Sequence, residues 1–356
     1  MGGGEASAPN AKLLAALGVP LGTLTTVAGR GMRAVVHRAI LTQHRYPNFA
    51  AAVKIQPWDD RVDGEVAALA AVSALYAQAA SMRGVAGVAV GGVGADAGAG
   101  AGAGVDAATA TATATPLLPP LALFRDANDA HFIFADGGAA LNAAMAADGA
   151  QLPSASIRAV ATALSGAALL ASLGRLHADI HPSNLLMGAG KRGMPTLIDL
   201  GSTLPLREGG QYSGPTRGGR WDYMPPEQFG PGAYAAGDVI LNPSADVFAA
   251  GTLLAGALAG VAPFAPPPGT SARLTVPGTL RHAARAARRG ISSALTASAE
   301  ASGAAPLPSA LLEWIDHATA PDQTTRFPHA ADALDALVGV VENSGKFWKI
   351  QENSLL

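Results

Sequence analysis

Asp179 and Asn184 stand five residues apart in Leu176-His-Ala-Asp-Ile-His-Pro-Ser-Asn-Leu-Leu186, and a second acidic residue, Asp199, follows in Leu197-Ile-Asp-Leu-Gly-Ser202. Between Leu186 and Leu197 lies a short run rich in Gly and Lys/Arg. Two apolar pairs flanking such a run read as a small β-hairpin. A hairpin brings its ends together, so Asn184 and Asp199 are expected side by side. Their amide and carboxylate oxygens suit a hard cation such as Mg²⁺. Asp179 is then a third oxygen-bearing side chain, left to accept a proton.

This stretch resembles the catalytic and metal-binding loops of protein kinases. The family's His-Arg-Asp-x-Lys-Pro-x-Asn reads here His177-Ala178-Asp179-Ile180-His181-Pro182-Ser183-Asn184, and its Asp-Phe-Gly reads Asp199-Leu200-Gly201. Ala178 stands where Arg is usual, and His181 where Lys is usual. His at that second place is also similar to the small-molecule phosphotransferases, such as the aminoglycoside kinases. The resemblance implies ATP as phosphoryl donor, Mg²⁺ on Asn184 and Asp199, Asp179 as catalytic base, and His181 beside the transferring group.

The rest of the chain must position those loops. Its 356 residues suffice for one two-lobed domain or two small ones. Hydrophobic residues make up 49%, enough for a large core. A net charge of -2 argues against a nucleic-acid partner held by bulk charge. Cys is absent, which excludes a disulfide framework or a zinc-thiolate site. The first twenty residues lack a basic start followed by an apolar block, so no secretory signal is expected. Ala6 stands where myristoylation takes Ser or Thr. The uncharged run from Val247 to Phe264 has Gly251, Gly256 and Gly260 at small-residue spacing. It is read as a helix buried in a protein core rather than a membrane span, and the chain is placed in the cytoplasm.

In chain order, residues 1–21 read as a lead-in. Short apolar runs follow at Leu24–Val27, Ala34–Val36 and Phe49–Val53. Gly29-Arg-Gly31-Met-Arg-Ala34 lies between the first two; a Gly-x-Gly turn lets backbone N–H groups approach phosphate oxygens. Ala52-Val53-Lys54 resembles the kinase strand lysine, which pairs with ATP phosphates and with a helix glutamate. Val62, Val66, Leu69, Val72 and Leu75 recur at helical steps. Asp63 and Glu65 both qualify by position as the partner of Lys54, with Glu65 preferred. Residues 84–115 are Gly/Ala and Ala/Thr repeats, read as an insertion. Strands resume at Leu121–Phe124 and His131–Phe134. By resemblance, Ala135-Asp136-Gly137-Gly138 is the hinge whose backbone holds adenine, Phe134 guards the back of the pocket, and Val36, Ala52 and Leu186 line it.

A helix is expected from Ser154 to Leu173, with Ile157, Val160, Leu164 and Ala168 on one face and Gly174 as its stop. Beyond the loops, Tyr223-Met-Pro-Pro-Glu227 is similar to the family's Tyr-Met-Ala-Pro-Glu, although Arg220 occupies the place usual for Thr. Asp246-Val-Phe-Ala-Ala-Gly251 matches Asp-x-Trp-x-x-Gly, whose Asp holds the catalytic-loop backbone in the family. Arg326 resembles the Arg that pairs with Glu227. Residues 281–289 form a basic segment, read as a solvated helix face. Helices from Leu311 to Leu337 break at Pro321–Arg326, and 346–356 read as a tail.

The resemblance therefore implies an α+β, protein-kinase-like bilobal fold. Residues 22–137 would form a small antiparallel sheet plus one helix, with the insertion at 84–115, and 138–345 a mainly helical lobe. The implied activity is phosphoryl transfer from ATP to Ser or Thr hydroxyls of a protein substrate. Two other readings stay open: a pseudokinase acting as scaffold or allosteric partner, and a small-molecule kinase.

Overall fold

The computed structural model describes residues 26–30, 34–43, 46–82, 116–120, 122–125, 128–143, 152–188, 194–215, 219–229, 238–259, 290–302 and 306–344. The lead-in, the insertion at 84–115, the basic segment 281–289, the tail and Gly31 lie outside the described residues. The fold is α+β, with small antiparallel sheets and helices. The chain divides into two compact units: residues up to 138 with 188–194, and residues 139–187 with 195 onward.

The first unit is built on a five-stranded sheet of order β1-β2-β3-β5-β4. Its strands are β1 (Thr26–Arg30), β2 (Val35–Gln43), β3 (Tyr46–Pro57), β4 (Ala122–Arg125) and β5 (Asp129–Ala135). All neighbours run antiparallel. Side chains alternate across a strand, so one face of β3 carries Ala51, Val53 and Ile55, each with no exposed surface. The other face carries Lys54 and Gln56. The register sets Lys54 opposite Val36 on one side and Phe132 on the other.

Helix α1 (Asp60–Met82) follows at once. The Asp59 carboxylate accepts from the amides of Arg61 and Val62 at 3.0 and 3.2 Å, capping two of the donors that a helix start leaves unpaired. Asp60 and Asp63 add negative charge where the helix dipole is positive. Val62, Leu69 and Val72 are buried, while Val66 and Leu75 are only half-buried. The buried stripe is thus offset from the apolar spacing, with Glu65 and Ala68 in the places of Val66 and Leu75.

The second unit packs around α2 (Leu152–Ser172) and α3 (Ser244–Ala259). Helix α2 begins two residues before the expected start, with Pro153 in its first turn, where a missing N–H costs nothing. Ile157, Val160 and Leu164 are buried as expected; Ala168 is half-buried, and Ala163, Ala167 and Leu170 fill the inner face. Gly174, at φ +69°, ends the turn in the left-handed conformation that glycine adopts without a Cβ penalty.

Every residue from Ser244 to Ala257 is buried, so α3 needs no polar stripe. At 16 residues it spans about 24 Å at ~1.5 Å per residue, short of the ~30 Å hydrocarbon thickness. Among the described residues one helix is long and apolar enough to cross a membrane, over Ala155–Ser172, and 56% of that window is buried within the protein. Helices α4 (Ile291–Ser302), α5 (Ser309–Ala318) and α6 (Ala330–Asn343) complete the unit. The break expected at 321–326 is a 3-10 turn over Gln323–Thr325, capped by Asp322.

Candidate functional site

In the first unit, Lys54 Nζ lies 2.7 and 3.0 Å from the two carboxylate oxygens of Glu65. The helix therefore resolves the choice between acids: Glu65 points inward and is buried, while Asp63 is exposed. Gln56 Nε2 donates to the same carboxylate at 2.7 Å. Residues 54 and 56 share a face of β3, so period two delivers two donors to one acid. Lys54 also stands 5.6 Å from the centroid of Phe132, close enough for cation–π attraction. Phe132 stacks on Phe134, with centroids 6.3 Å apart.

The other residues expected near the nucleotide in this unit lie in or beside the sheet. Gly29 sits inside β1 opposite Val36, beside a bulge, and not in a turn between strands. Its lack of a side chain suits a bulge, where pairing is locally disrupted. Ala52 pairs with Arg38 and with Phe134 across its two neighbours. At the expected hinge, Asp136 N–H is engaged by Ala50 C=O at 3.1 Å, and Gly137 C=O by Gly188 N–H at 2.9 Å. Ala135 belongs to β5 and pairs with Ala51.

In the second unit, two-residue strands β6 (Arg175–Leu176) and β9 (Leu204–Pro205) pair, as do β7 (Leu185–Leu186) and β8 (Thr196–Leu197). The β7–β8 pair is the expected hairpin. It brings Asn184 level with Ile198, whose amide donates to the Asn184 carbonyl at 2.9 Å, and Asp199 follows directly. Leu186 faces Thr196 in this pair and bridges to Ala140.

The loop from His177 to Asn184 is held from all sides. Asp246, buried at the start of α3, accepts from the amides of His177 and Ala178 at 2.8 and 2.9 Å. Burial pushes the Asp246 carboxyl pKa up, and the His177 ring and the two amides pull it back. His177 Nδ1 accepts from Asp179 N–H at 3.3 Å, which leaves the proton on Nε2, 3.2 Å from Ile198 C=O. The imidazole therefore ties the loop carrying Asp179 to the strand end carrying Asp199.

Asp179 is oriented through both oxygens. Oδ1 accepts from the backbone N–H of Arg220 at 2.9 Å, and Oδ2 is 3.5 Å from Asn184 Nδ2. Asn184 Nδ2 also donates to the Asp179 carbonyl at 2.9 Å. With the amide nitrogen so placed, its Oδ1 is the atom turned away as an acceptor. Asp199 is exposed and left-handed, at φ +66°, and accepts from Gly201 N–H at 3.4 Å. Among the described residues no group of three or more His, Asp or Glu side chains forms a metal cage. An amide oxygen plus one carboxylate is nonetheless a donor set that fits Mg²⁺, which retains several waters and substrate oxygens.

His181 is buried, and its Nε2 lies 3.6 Å from Asp179 Oδ1. Burial holds its pKa below the ordinary histidine value, Asp179 opposes that, and Arg220 adds to it. Its Nδ1 accepts from Ser183 N–H at 3.1 Å, so this nitrogen is an acceptor in the neutral ring. Arg220 Nη1 reaches Ser183 Oγ at 3.3 Å. Tyr223 stands near the His181 ring, with centroids 6.3 Å apart; burial pushes its phenol up to about 12.

The sequence gives no warning of four residues in this frame: Gln56, the Arg220 amide, Gln228 and Gly219. Each acts through backbone or carboxamide groups, which leave no motif. His177, by contrast, stands in the quoted motif, and its role is visible only in three dimensions. Comparison with protein-family models and with curated proteins finds no match for the chain.

Proposed function

We propose that this protein transfers the terminal phosphoryl group of ATP to Ser or Thr hydroxyls of a protein substrate, with a protein-kinase-like fold. The observation that carries the reading is Asp179 held through both carboxylate oxygens, beside Asn184 and the strand end that bears Asp199. A carboxylate fixed in this way accepts the proton of a hydroxyl as that oxygen attacks phosphorus. Bound Mg²⁺ would neutralise phosphate charge, with Asn184 and Asp199 as its protein ligands. Lys54, paired with Glu65, is assigned to phosphate oxygens. His181, as a neutral ring, offers a hydrogen bond to the transferring group where a lysine would offer charge. Positioning and charge neutralisation then supply most of the catalysis.

A second reading is transfer to a small molecule. It is favoured by His181 and by Arg220, whose amide covers Asp179 Oδ1 in the place usual for a threonine. Incubation with γ-labelled ATP, Mg²⁺ and a peptide array, alongside a metabolite panel and an Asp199→Ala control, separates these readings. Label in peptides that the control lacks supports the proposal. Label in metabolites alone moves the assignment to the second reading, and nucleotide binding without transfer moves it to a scaffold.

A further inference from the structure

Ala178 is one of two non-glycine residues described with positive φ, at +62°. Alanine in this region brings its Cβ too close to the following carbonyl oxygen, so the conformation persists only where the surroundings enforce it. Asp179 follows directly, and the direction of its side chain depends on that backbone turn. Both polar groups of Ala178 are clamped. Its N–H donates to Asp246 Oδ1 at 2.9 Å, and its C=O accepts from Gln228 Nε2 at 2.9 Å. Gln228 is 2% exposed and reaches this carbonyl from the 3-10 turn Pro226–Phe229, across 50 positions.

A third segment closes over the same bond. A Cβ on Gly219 would stand 3.0 Å from Gln228 Nε2, 3.1 Å from Ala178 O and 3.1 Å from Met224 Cγ. Its φ of +132° also belongs to glycine. The next residue, Arg220, supplies the amide that holds Asp179 Oδ1. The Gln228–Ala178 bond therefore lies between the turn that precedes Asp179 and the segment that brings the Arg220 amide to its carboxylate.

We propose that Gln228 is a positioning residue for Asp179: with Asp246 it clamps Ala178 in the left-handed conformation, and it seats the Gly219–Arg220 backbone that fixes the carboxylate. The role deepens the phosphoryl-transfer reading and depends on that reading only for its activity readout. A merely structural glutamine would satisfy a buried carbonyl and do no more. A positioning glutamine sets the backbone angle at residue 178, and a residue that adopts the angle freely should lessen the need for it.

The test compares crystal structures and steady-state kinetics of wild type, Gln228→Met, and Gln228→Met combined with Ala178→Gly. Methionine keeps the length and removes the donor. Residue 178 is expected to leave positive φ in Gln228→Met, and Asp179 Oδ1 to lose the Arg220 amide. Turnover should fall by about 10²-fold, the scale of a displacement near 1 Å, with Mg·ATP affinity unchanged. The double variant should recover the backbone angle and most of the turnover, which relief of an unpaired carbonyl alone would not explain. Retention of positive φ and of the Asp179–Arg220 contact in Gln228→Met overturns the proposal. Gln228→Asn, too short to reach, carries the same expectation should the methionine variant not fold. If wild type transfers no phosphoryl group, the backbone comparison still decides the role of Gln228, and only the kinase reading falls.

Discussion

Arg326 grips Glu227 with both terminal guanidinium nitrogens, at 2.6 and 2.9 Å, although 99 positions separate them in the chain. The guanidinium also donates to Ala320 C=O at 2.6 Å and Pro321 C=O at 3.0 Å, and it stacks 4.7 Å from the centroid of the Phe248 ring. One buried cation thus pins the 3-10 turn at Glu227, the 321–326 segment and helix α3. Lysine offers a point charge in place of a planar fork. Arg326→Met, which removes the cation and leaves Glu227 uncompensated, is expected to destabilise the second unit by about 3–5 kcal/mol, as for a buried pair broken from one side, and Arg326→Lys by less because it keeps the charge. Urea unfolding with an unchanged m-value measures it; a shift under ~1 kcal/mol contradicts it.

In the first unit the same reasoning applies to Lys54. Its removal leaves Glu65, 1% exposed, with the Gln56 donor but without its charge partner. Lys54→Met is therefore expected to lower stability by about 3–5 kcal/mol, and Lys54→Met with Glu65→Leu to recover much of that, because a hydrophobic pair leaves no buried charge. Thermal unfolding of the two variants side by side gives the comparison. A double variant no better than the single one would show that the ion pair is a net stabiliser.

The legibility of these features in the sequence was uneven, for physical reasons. Elements with strong periodicity and a stop signal were readable: the 3.6-residue spacing of α2 with Gly174 behind it, the β7–β8 hairpin around a Gly- and Lys-rich run, and α3 as a buried apolar helix. The long-range roles of Asp246 and Arg326 were readable only through the family resemblance, because the cost of burying a charge does not say which distant group meets it. Backbone conformation was not. Nothing in the letter Ala at 178 announces φ +62°, and spacing cannot distinguish a turn glycine from one beside a bulge, as Gly29 is. Neutral carboxamides are silent in the sequence for a related reason. Gln56 and Gln228 act through the carboxylate and the carbonyl that the fold brings to them.

His181 gives a pH prediction with a defined sign. Burial, first among the causes, holds its pKa below 6.5, against the pull of Asp179. Below pH 6.5 the unfolded chain takes up a proton that the folded chain resists. Stability from this group is therefore fully present above about pH 6.5 and is lost as pH falls toward the folded value. The His181 ring resonances in an NMR titration should show a midpoint below 6.5. His181→Gln should lose less stability than wild type between pH 7.5 and 5.5. A midpoint above 6.5 would mean that Asp179, 3.6 Å away, outweighs burial.

Gly251 tests the packing that carries α3 against α5. A Cβ there would stand 2.8 Å from the Ala318 Cβ and 2.9 Å from the Thr319 Cγ2, distances that real side chains do not tolerate. Both neighbours are short and fixed to the backbone, so the helices themselves must move. Gly251→Ala is expected to cost about 1–3 kcal/mol, an overpacking penalty that exceeds the gain in helix propensity of ~1 kcal/mol. Equilibrium unfolding decides the sign. A more stable alanine variant would show that α3 and α5 can separate freely.

Asp179→Asn addresses the chemistry directly, and the geometry fixes how the asparagine must sit. Each carboxylate oxygen faces a donor: the Arg220 amide at 2.9 Å and Asn184 Nδ2 at 3.5 Å. Asparagine has one acceptor oxygen, so its amide nitrogen must oppose one of those donors. The stronger bond, to Arg220, should keep the oxygen, and the new NH₂ would then face Asn184 Nδ2 across a contact that is already long. Asn184 keeps its shorter bond to the Asp179 carbonyl, so the metal-ligating amide should hold its place. Turnover is expected to fall by about 10²–10⁴-fold, the range for loss of a general base. Mg·ATP affinity should change by less than a few fold, and stability by about 1 kcal/mol or less at this partly solvated position. Calorimetric titration of Mg·ATP beside single-turnover transfer separates the two quantities. Loss of nucleotide affinity with turnover retained at saturation would place Asp179 among the metal ligands and move the base elsewhere in the loop.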